Sequence, residues 1–141
     1  MSLLDAPPTS RPRSLARVLL GAILVFAGVS HLTFARQEFE AQVPDWFPVD
    51  DDPVVLVSGF VEISLGAALI GFARGRVGVG LLVAAFFVAI FPGNIAQYVE
   101  GTDAFGLDTD QKRFVRLFFQ PVLVLWALWA TGAWRDRRAL R

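Results

Sequence analysis

Five polar side chains interrupt otherwise apolar stretches of the sequence, and they are the groups best placed to do chemistry there. They are His31, Glu62, Asn94, Arg116 and Gln120. A carboxyl group can hold a ligand or exchange a proton, a guanidinium can hold an oxygen atom, and imidazole and amide groups supply hydrogen bonds. Because polar groups inside long apolar helices are costly, they commonly serve a function. We take these five as candidate ligand-binding residues and assign no catalytic role.

The ionisable candidates also have a structural interpretation, which the sequence leaves open. Glu62 is expected near the middle of its helix, where Arg116 could reach it from another helix. The two would then form a salt bridge that fixes the helices against each other. Alternatively, the carboxyl binds a ligand or handles a proton. His31 could equally be a hydrogen-bonded histidine at a helix end.

The two amides stand beside prolines, which gives them a second interpretation. Asn94 follows Pro92-Gly93, and Gln120 precedes Pro121. A proline inside a helix removes one backbone hydrogen bond and bends the helix. Each amide could therefore repair a bend instead of contacting a ligand, and both interpretations stay open.

The composition excludes several classes of protein. Of the 141 residues, 55% are hydrophobic and 18% are charged, whereas about a quarter are charged in soluble domains. Thirteen basic and thirteen acidic residues give a formal net charge of zero, which argues against binding to nucleic acid. The absence of cysteine excludes disulfides and thiolate metal sites, and we expect no metal site.

Four stretches nearly free of charge predict four membrane-spanning helices. They lie at about 18–34, 54–72, 77–98 and 114–134. Each is close to the ~20 residues that cross a bilayer as a helix, and helices satisfy their own backbone groups in lipid. A soluble bundle would have too few residues left to cover these helices. We predict an all-α integral membrane four-helix bundle over residues 15–134, between a disordered tail at 1–14 and a basic tail at 135–141.

The first apolar stretch also has some features of a cleaved signal peptide. Arg11, Arg13 and Arg17 form a basic start to this stretch. However, Ala27-Gly28-Val29 is a poor cleavage site, and the apolar run continues past it. We therefore expect the stretch to be retained as the first helix.

The distribution of charges predicts the orientation of the bundle. Nine of the thirteen Lys and Arg residues lie in the two tails and the second connection, and ten of the thirteen acidic residues lie in the other two connections. Lys and Arg are enriched on the cytoplasmic side of membrane proteins. We expect both termini to be cytoplasmic and two acidic loops to face outward.

The first outer loop contains an amphipathic segment. In Phe39–Pro48, the apolar residues Phe39, Val43 and Phe47 recur at a spacing of four. This pattern favours a short interfacial segment over the mouth of the bundle. A plain surface loop is the alternative.

Each polar candidate shares a helix face with small residues, which predicts that the candidates meet. Gly21 and Gly28 lie on the face of His31, and Gly59 and Gly66 lie on the face of Glu62. Small residues let helices approach closely, so these faces should point into the bundle. We expect a polar pocket in the outer half of the bundle.

Five short motifs, in order, resemble those of the DoxX family of small bacterial membrane proteins. They are Gly28-Val29-Ser30-His31-Leu32, Val43-Pro44-Asp45-Trp46-Phe47-Pro48, Ser58-Gly59-Phe60-Val61-Glu62, Phe91-Pro92-Gly93-Asn94-Ile95 and Arg116-Leu117-Phe118-Phe119-Gln120. The resemblance runs from about residue 15 to 134. Where the family usually has Arg-Leu-Pro, this chain has Arg116-Leu117-Phe118, which would change the local bend and keep the charge.

The resemblance implies a four-helix protein of the bacterial cytoplasmic membrane with a link to quinones. The family takes its name from a subunit of a thiosulfate:quinone oxidoreductase, and most members have no established role. The leading hypothesis is a quinone- or lipid-binding accessory subunit of a redox system. No flavin or haem motif is evident, so electrons would come from a partner subunit, and a homo-oligomer is the other expected partner.

Two other functions remain open. The protein could be a membrane scaffold without a ligand, or a small transporter or proton-transfer enzyme acting on a lipid. Whether it is an enzyme, the sequence does not decide.

Overall fold

Four long α-helices account for most of the described chain, which comprises residues 9–34, 37, 43, 46, 48, 50–102 and 107–137 of a computed structural model. They are α1 (Arg11–Leu32), α2 (Asp51–Gly71), α3 (Arg76–Glu100) and α4 (Asp110–Ala130). A short 3-10 helix, Ala73–Gly75, joins α2 to α3. All four long helices are long and apolar enough to cross a membrane. The predicted all-α, four-helix architecture is confirmed.

The first helix begins earlier than the hydropathy of the sequence predicted. α1 begins at Arg11, because Ser10 caps it by accepting a hydrogen bond from the backbone N–H of Arg13 at 3.4 Å. Pro12 lies in the first turn, where its missing N–H costs nothing. Residues 11–14 therefore belong to α1 and not to a disordered tail, and residues 1–8 lie outside the described chain.

The last helix is shifted toward the N-terminus relative to the prediction. α4 begins at Asp110, where the hydroxyl of Thr109 accepts a hydrogen bond from the backbone N–H of Lys112 at 3.2 Å. It ends at Ala130, and Gly132 follows with a φ of 66°, a conformation that few other residues adopt. Residues 131–134 thus form turns and not the predicted end of a helix.

The bundle consists of two tightly packed hairpins. α1 packs along α2 and α3 along α4, with smaller contacts between α1 and α4 and between α2 and α3. A Cβ atom on Gly21 would lie 2.7 Å from the carbonyl oxygen of Gly66, and one on Gly28 would lie 2.6 Å from that of Gly59. The backbones of α1 and α2 can approach this closely only because these positions are glycine.

An apolar core joins all four helices. Its buried residues are Leu20, Leu24, Leu69, Val79, Val83, Ala84, Phe87 and Ala127. A hydrogen bond also ties the fourth helix to the first, since the indole N–H of Trp126 donates to the carbonyl oxygen of Ala16 at 3.0 Å. These contacts fix the two hairpins relative to each other.

The end of the bundle where α1 and α3 begin and α2 and α4 end, here called the terminal end, contains buried arginines. The guanidinium of Arg17 donates to the carbonyl oxygen of Leu69 and, at 3.4 Å, to that of Ile70. These are carbonyls of the last turn of α2, which has no partner for them within the helix. Arg17 therefore closes the end of α2.

Arg76 plays a similar part for α4. Its guanidinium donates to the carbonyl oxygen of Thr131 and forms an ion pair with Asp136 at 2.8 Å. A hydrogen bond from Arg135, with a second from Arg76, lowers the pKa of Asp136 from 3.8 to about 2, while burial acts in the opposite direction. The buried charge of Arg76 is thus matched by an acceptor and an anion, whereas Arg17 donates its hydrogen bonds to carbonyl oxygens.

Candidate functional site

A cavity of about 560 Å³ opens between the two hairpins. It is lined by all five polar candidates of the sequence analysis: His31, Glu62, Asn94, Arg116 and Gln120. Most of the remaining wall is apolar, and it includes Leu24, Val55, Phe87 and Leu123. Pockets that bind small molecules commonly have this size and this combination of apolar walls with a few polar groups. We call the end of the bundle that holds these candidates the cavity end.

His31, Ser58 and Glu62 form one polar side of the cavity, the acid wall. Nδ1 of His31 lies 3.3 Å from the hydroxyl of Ser58, and Nε2 lies 3.2 Å from Oε2 of Glu62. Ser58 and Glu62 are one helical turn apart on α2, so the imidazole from α1 bridges them. Glu62 and His31 are each only 5% exposed.

A glycine makes room for this bridge. Gly59 lies between Ser58 and Glu62 in sequence, and a Cβ atom there would lie 2.9 Å from the Cβ of His31. Real Cβ atoms do not come so close to another carbon. The glycine therefore allows the imidazole to reach both of its polar neighbours.

The hydrogen bonds of Ser58 favour a proton on Nδ1 of His31. Its hydroxyl donates to the carbonyl oxygen of Val55 at 3.0 Å, so its oxygen accepts from Nδ1–H of His31. Nε2 of His31, which faces Glu62, can then be in one of two states. It carries a proton, so that an imidazolium lies beside a carboxylate, or it carries none and lies beside a protonated carboxyl group. A bare Nε2 beside a carboxylate would bury an uncompensated charge. In both remaining states the pair of His31 and Glu62 carries no net charge.

Asn94, Gln120 and Arg116 form the opposite polar side, the amide wall. The amide of Asn94 donates to Oε1 of Gln120 at 3.3 Å, and the amide of Gln120 donates to the carbonyl oxygen of Phe87 at 2.6 Å. Arg116 donates to the same Oε1 at 3.4 Å. Gln120 is only 1% exposed, so it links α3 to α4 deep in the bundle.

The amide wall does not repair the proline bends in the way the sequence suggested. Pro92 removes the helical hydrogen bond to the carbonyl of Val88, whereas Gln120 donates to the carbonyl of Phe87. Asn94 donates to Gln120. Both amides therefore join two helices, and α3 continues as a helix through its proline.

Glu62 has a different partner from the one that the sequence suggested. Among the described residues, its ion pair is with His31, and none joins it to Arg116. The close approach of α1 and α2 decides this, because it brings the imidazole to the carboxyl. Ser58 was not among the candidates, although its position four residues before Glu62 placed it on the same face.

The predicted interfacial segment Phe39–Pro48 lies mostly outside the described residues. Of the described positions, Val43 and Trp46 line the cavity. Within the described part of the chain, no group of three or more His, Asp or Glu side chains is placed to hold a metal ion. The cavity offers hydrogen-bonding amides, the guanidinium of Arg116 and the carboxyl–imidazole pair of Glu62 and His31.

The four apolar helices around this partly polar cavity are compatible, by length and composition, with a multi-pass membrane protein. Residues 20–131 match the family described as a domain of unknown function, DUF8561, and the chain belongs to that family. No curated protein and no solved structure matches the chain.

Proposed function

We propose that this protein binds a lipophilic molecule, a quinone or a lipid, in the cavity between its hairpins, within the bacterial cytoplasmic membrane. The observation that carries the proposal is the cavity itself. It is large enough for a ligand, mostly apolar, and flanked by two separate polar walls. The apolar part would take a ring or chain, and the polar walls would hold oxygen atoms of the head group.

The state of the acid wall supports this proposal. Oε2 of Glu62 is buried and has no hydrogen bond among the described residues. It lies within ion-pair distance of Nε2 of His31, at 3.2 Å. A buried polar atom without a hydrogen bond costs about 1–3 kcal/mol. A ligand oxygen that hydrogen-bonds to the carboxyl would remove this cost, which favours occupancy of the cavity.

An accessory role in a redox system is the second part of the proposal. It is supported by the resemblance of five motifs to the DoxX family, described above. The chain has no cysteine, so a partner subunit would supply the electrons. Copurification of a redox enzyme with the tagged protein from its native membrane tests this part of the proposal. If no redox enzyme copurifies although the cavity is fully occupied by its ligand, this part is contradicted.

We propose that both termini are cytoplasmic. The basic residues at the terminal end and the acidic residues of the two other connections support this orientation. Because the natural chain has no cysteine, single substitutions Ser10→Cys and Asp108→Cys can be labelled with a membrane-impermeant maleimide. Intact cells should label only Asp108→Cys, and labelling of Ser10→Cys alone would reverse the orientation.

The binding experiment uses decylubiquinone as the probe and protein reconstituted in nanodiscs. Quenching of tryptophan fluorescence measures binding, since Trp46 lines the cavity. Glu62→Gln and Arg116→Ala should each weaken binding about tenfold or more, the loss expected for a charge-assisted hydrogen bond. Lys112→Ala is the matched control, because Lys112 is exposed on α4 and paired with Asp108. Unchanged affinity in both cavity variants would contradict the proposal and favour a scaffold without a ligand.

A further inference from the structure

Arg116 brings a positive charge to the cavity, and no anion among the described residues pairs with it. In the part of the chain that the structure describes, Arg116 makes one hydrogen bond, to the neutral Gln120 at 3.4 Å, and no ion pair. The carboxyl that lines the same cavity, Glu62, is already engaged by His31 at 3.2 Å. Because His31 and Glu62 together carry no net charge, they do not offset the charge of the guanidinium of Arg116.

This charge is placed where an anion would stabilise it. Arg116 is half-buried and lines a cavity whose other walls are mostly apolar. A charge removed from water without a partner is costly, and a guanidinium is always protonated. Its planar group of donors matches the two oxygens of a carboxylate or phosphate. The contrast with Arg76, which has both Asp136 and a carbonyl as partners, shows that this chain can provide partners where a charge is structural.

We infer that the ligand of the cavity is a single-chain lipid acid, whose carboxylate or phosphate pairs with Arg116 while its acyl chain lies along the apolar wall. This inference rests on the proposed function and chooses among the lipophilic molecules that it allows. The amides of Asn94 and Gln120 each have a second N–H that can donate to the same head group. His31 has a role in this selectivity, because it keeps Glu62 from presenting a bare negative charge to the anion.

The test compares three probes with the same sixteen-carbon chain: palmitate, hexadecyl phosphate and hexadecanol. Binding is measured by isothermal titration calorimetry on protein in nanodiscs of zwitterionic lipid, so that the bilayer does not supply anionic competitors. The wild-type protein should bind at least one acid about tenfold or more tightly than the alcohol. The acid that binds more tightly identifies the head group as a carboxylate or a phosphate.

Substitutions then locate the preference at Arg116. Arg116→Gln should bind the acid and hexadecanol with similar affinities, and Arg116→Lys should retain part of the preference for the acid as a point charge. Lys112→Gln, one turn earlier on α4 and outside the cavity, should keep the full preference. A thermal unfolding curve for each variant shows that it is folded.

Two outcomes overturn the inference. Equal binding of the alcohol and both acids to the wild-type protein would do so, and so would an acid preference that survives Arg116→Gln. If decylubiquinone binds in the same nanodiscs while neither acid is preferred, the proposed function stands and only this inference fails. If no probe binds at all, both fail.

Discussion

The two ends of the bundle both bury charged side chains, yet they treat them differently. At the terminal end, Arg76 is matched by the carbonyl of Thr131 and the carboxylate of Asp136, and Arg17 donates to the last carbonyls of α2. At the cavity end, the one hydrogen bond of Arg116 to a described residue is weak and goes to the neutral amide of Gln120. Charged side chains close helix ends at the terminal end, whereas at the cavity end they line the cavity to which we assign a ligand.

We therefore expect substitutions at the two ends to affect different quantities, stability at the terminal end and binding at the cavity end. A charge with complete partners contributes to stability, so removing it leaves those partners unsatisfied. A charge without such partners contributes little to stability. Its removal should therefore change ligand binding more than the free energy of unfolding.

The largest effect is expected from Arg76→Met at the terminal end. Loss of the guanidinium leaves Asp136 and the carbonyl of Thr131 without their partner, which should lower the free energy of unfolding by about 3 kcal/mol. Titration with SDS, followed by circular dichroism, measures it. Arg11→Met, exposed in the first turn of α1, should change it by less than about 0.5 kcal/mol. A similar small change in both variants would remove the distinction between the two ends.

The next effect is expected from Gly59→Ala at the cavity end. The added methyl group meets the Cβ of His31 at 2.9 Å, so α1 and α2 must move apart, at a cost of about 1–3 kcal/mol. Thermal unfolding in detergent measures the loss. Gly71→Ala is the control, because a Cβ there meets nothing within 4 Å, and it should be neutral or slightly stabilising. Equal melting temperatures for the two variants would show that the close approach of α1 and α2 is not needed.

A smaller and pH-dependent effect is expected from Asp136→Asn. Since the pKa of Asp136 is lowered from 3.8 to about 2, its charge stabilises the fold above pH ~4, and this stabilisation is lost as the pH falls toward 2. Allowing for screening by solvent, the difference from wild type should be about 1 kcal/mol at neutral pH. Melting curves from pH 7 to pH 2 should converge at the acid end. Curves that stay parallel would exclude Asp136 as the partner that stabilises this end.

The smallest effect on stability is expected from Glu62→Gln. The amide keeps the shape of the side chain and can donate to Nε2 of His31, so the free energy of unfolding should change by less than about 0.5 kcal/mol. Ligand binding should nevertheless weaken about tenfold. The same SDS titration, with the binding assay in parallel, separates the two effects. A clear loss of stability with no loss of binding would mark Glu62 as a structural residue.

The sequence predicted the number and type of helices because long apolar stretches leave few alternatives. It placed the helix starts less well. α1 begins seven residues before the predicted position, at Arg11, because charged and proline residues are tolerated in a first turn and hydropathy does not detect this. The end of α4 depends on Thr131 and Gly132, whose local geometry stops a helix within an apolar run.

The sequence also predicted which residues would meet, but not how they pair. The periodicity of the helices placed the five candidates on inward faces, and the structure brings all five to one cavity. The partner of Glu62 could not be predicted, since it depends on the distance between α1 and α2. That distance is set by backbone contact at Gly28 and Gly59. The pairing of Arg76 with Asp136 was missed for a related reason, since it depends on the turn after α4.

Native mass spectrometry shows whether the cavity holds a ligand that depends on Arg116. The wild-type protein and Arg116→Gln, extracted from their native membrane in mild detergent, would be compared for bound small molecules. The wild-type protein should carry one lipophilic molecule per chain, and Arg116→Gln should have lost most of it while remaining folded. An empty wild-type protein, or the same occupancy in both proteins, would contradict the account of the cavity end.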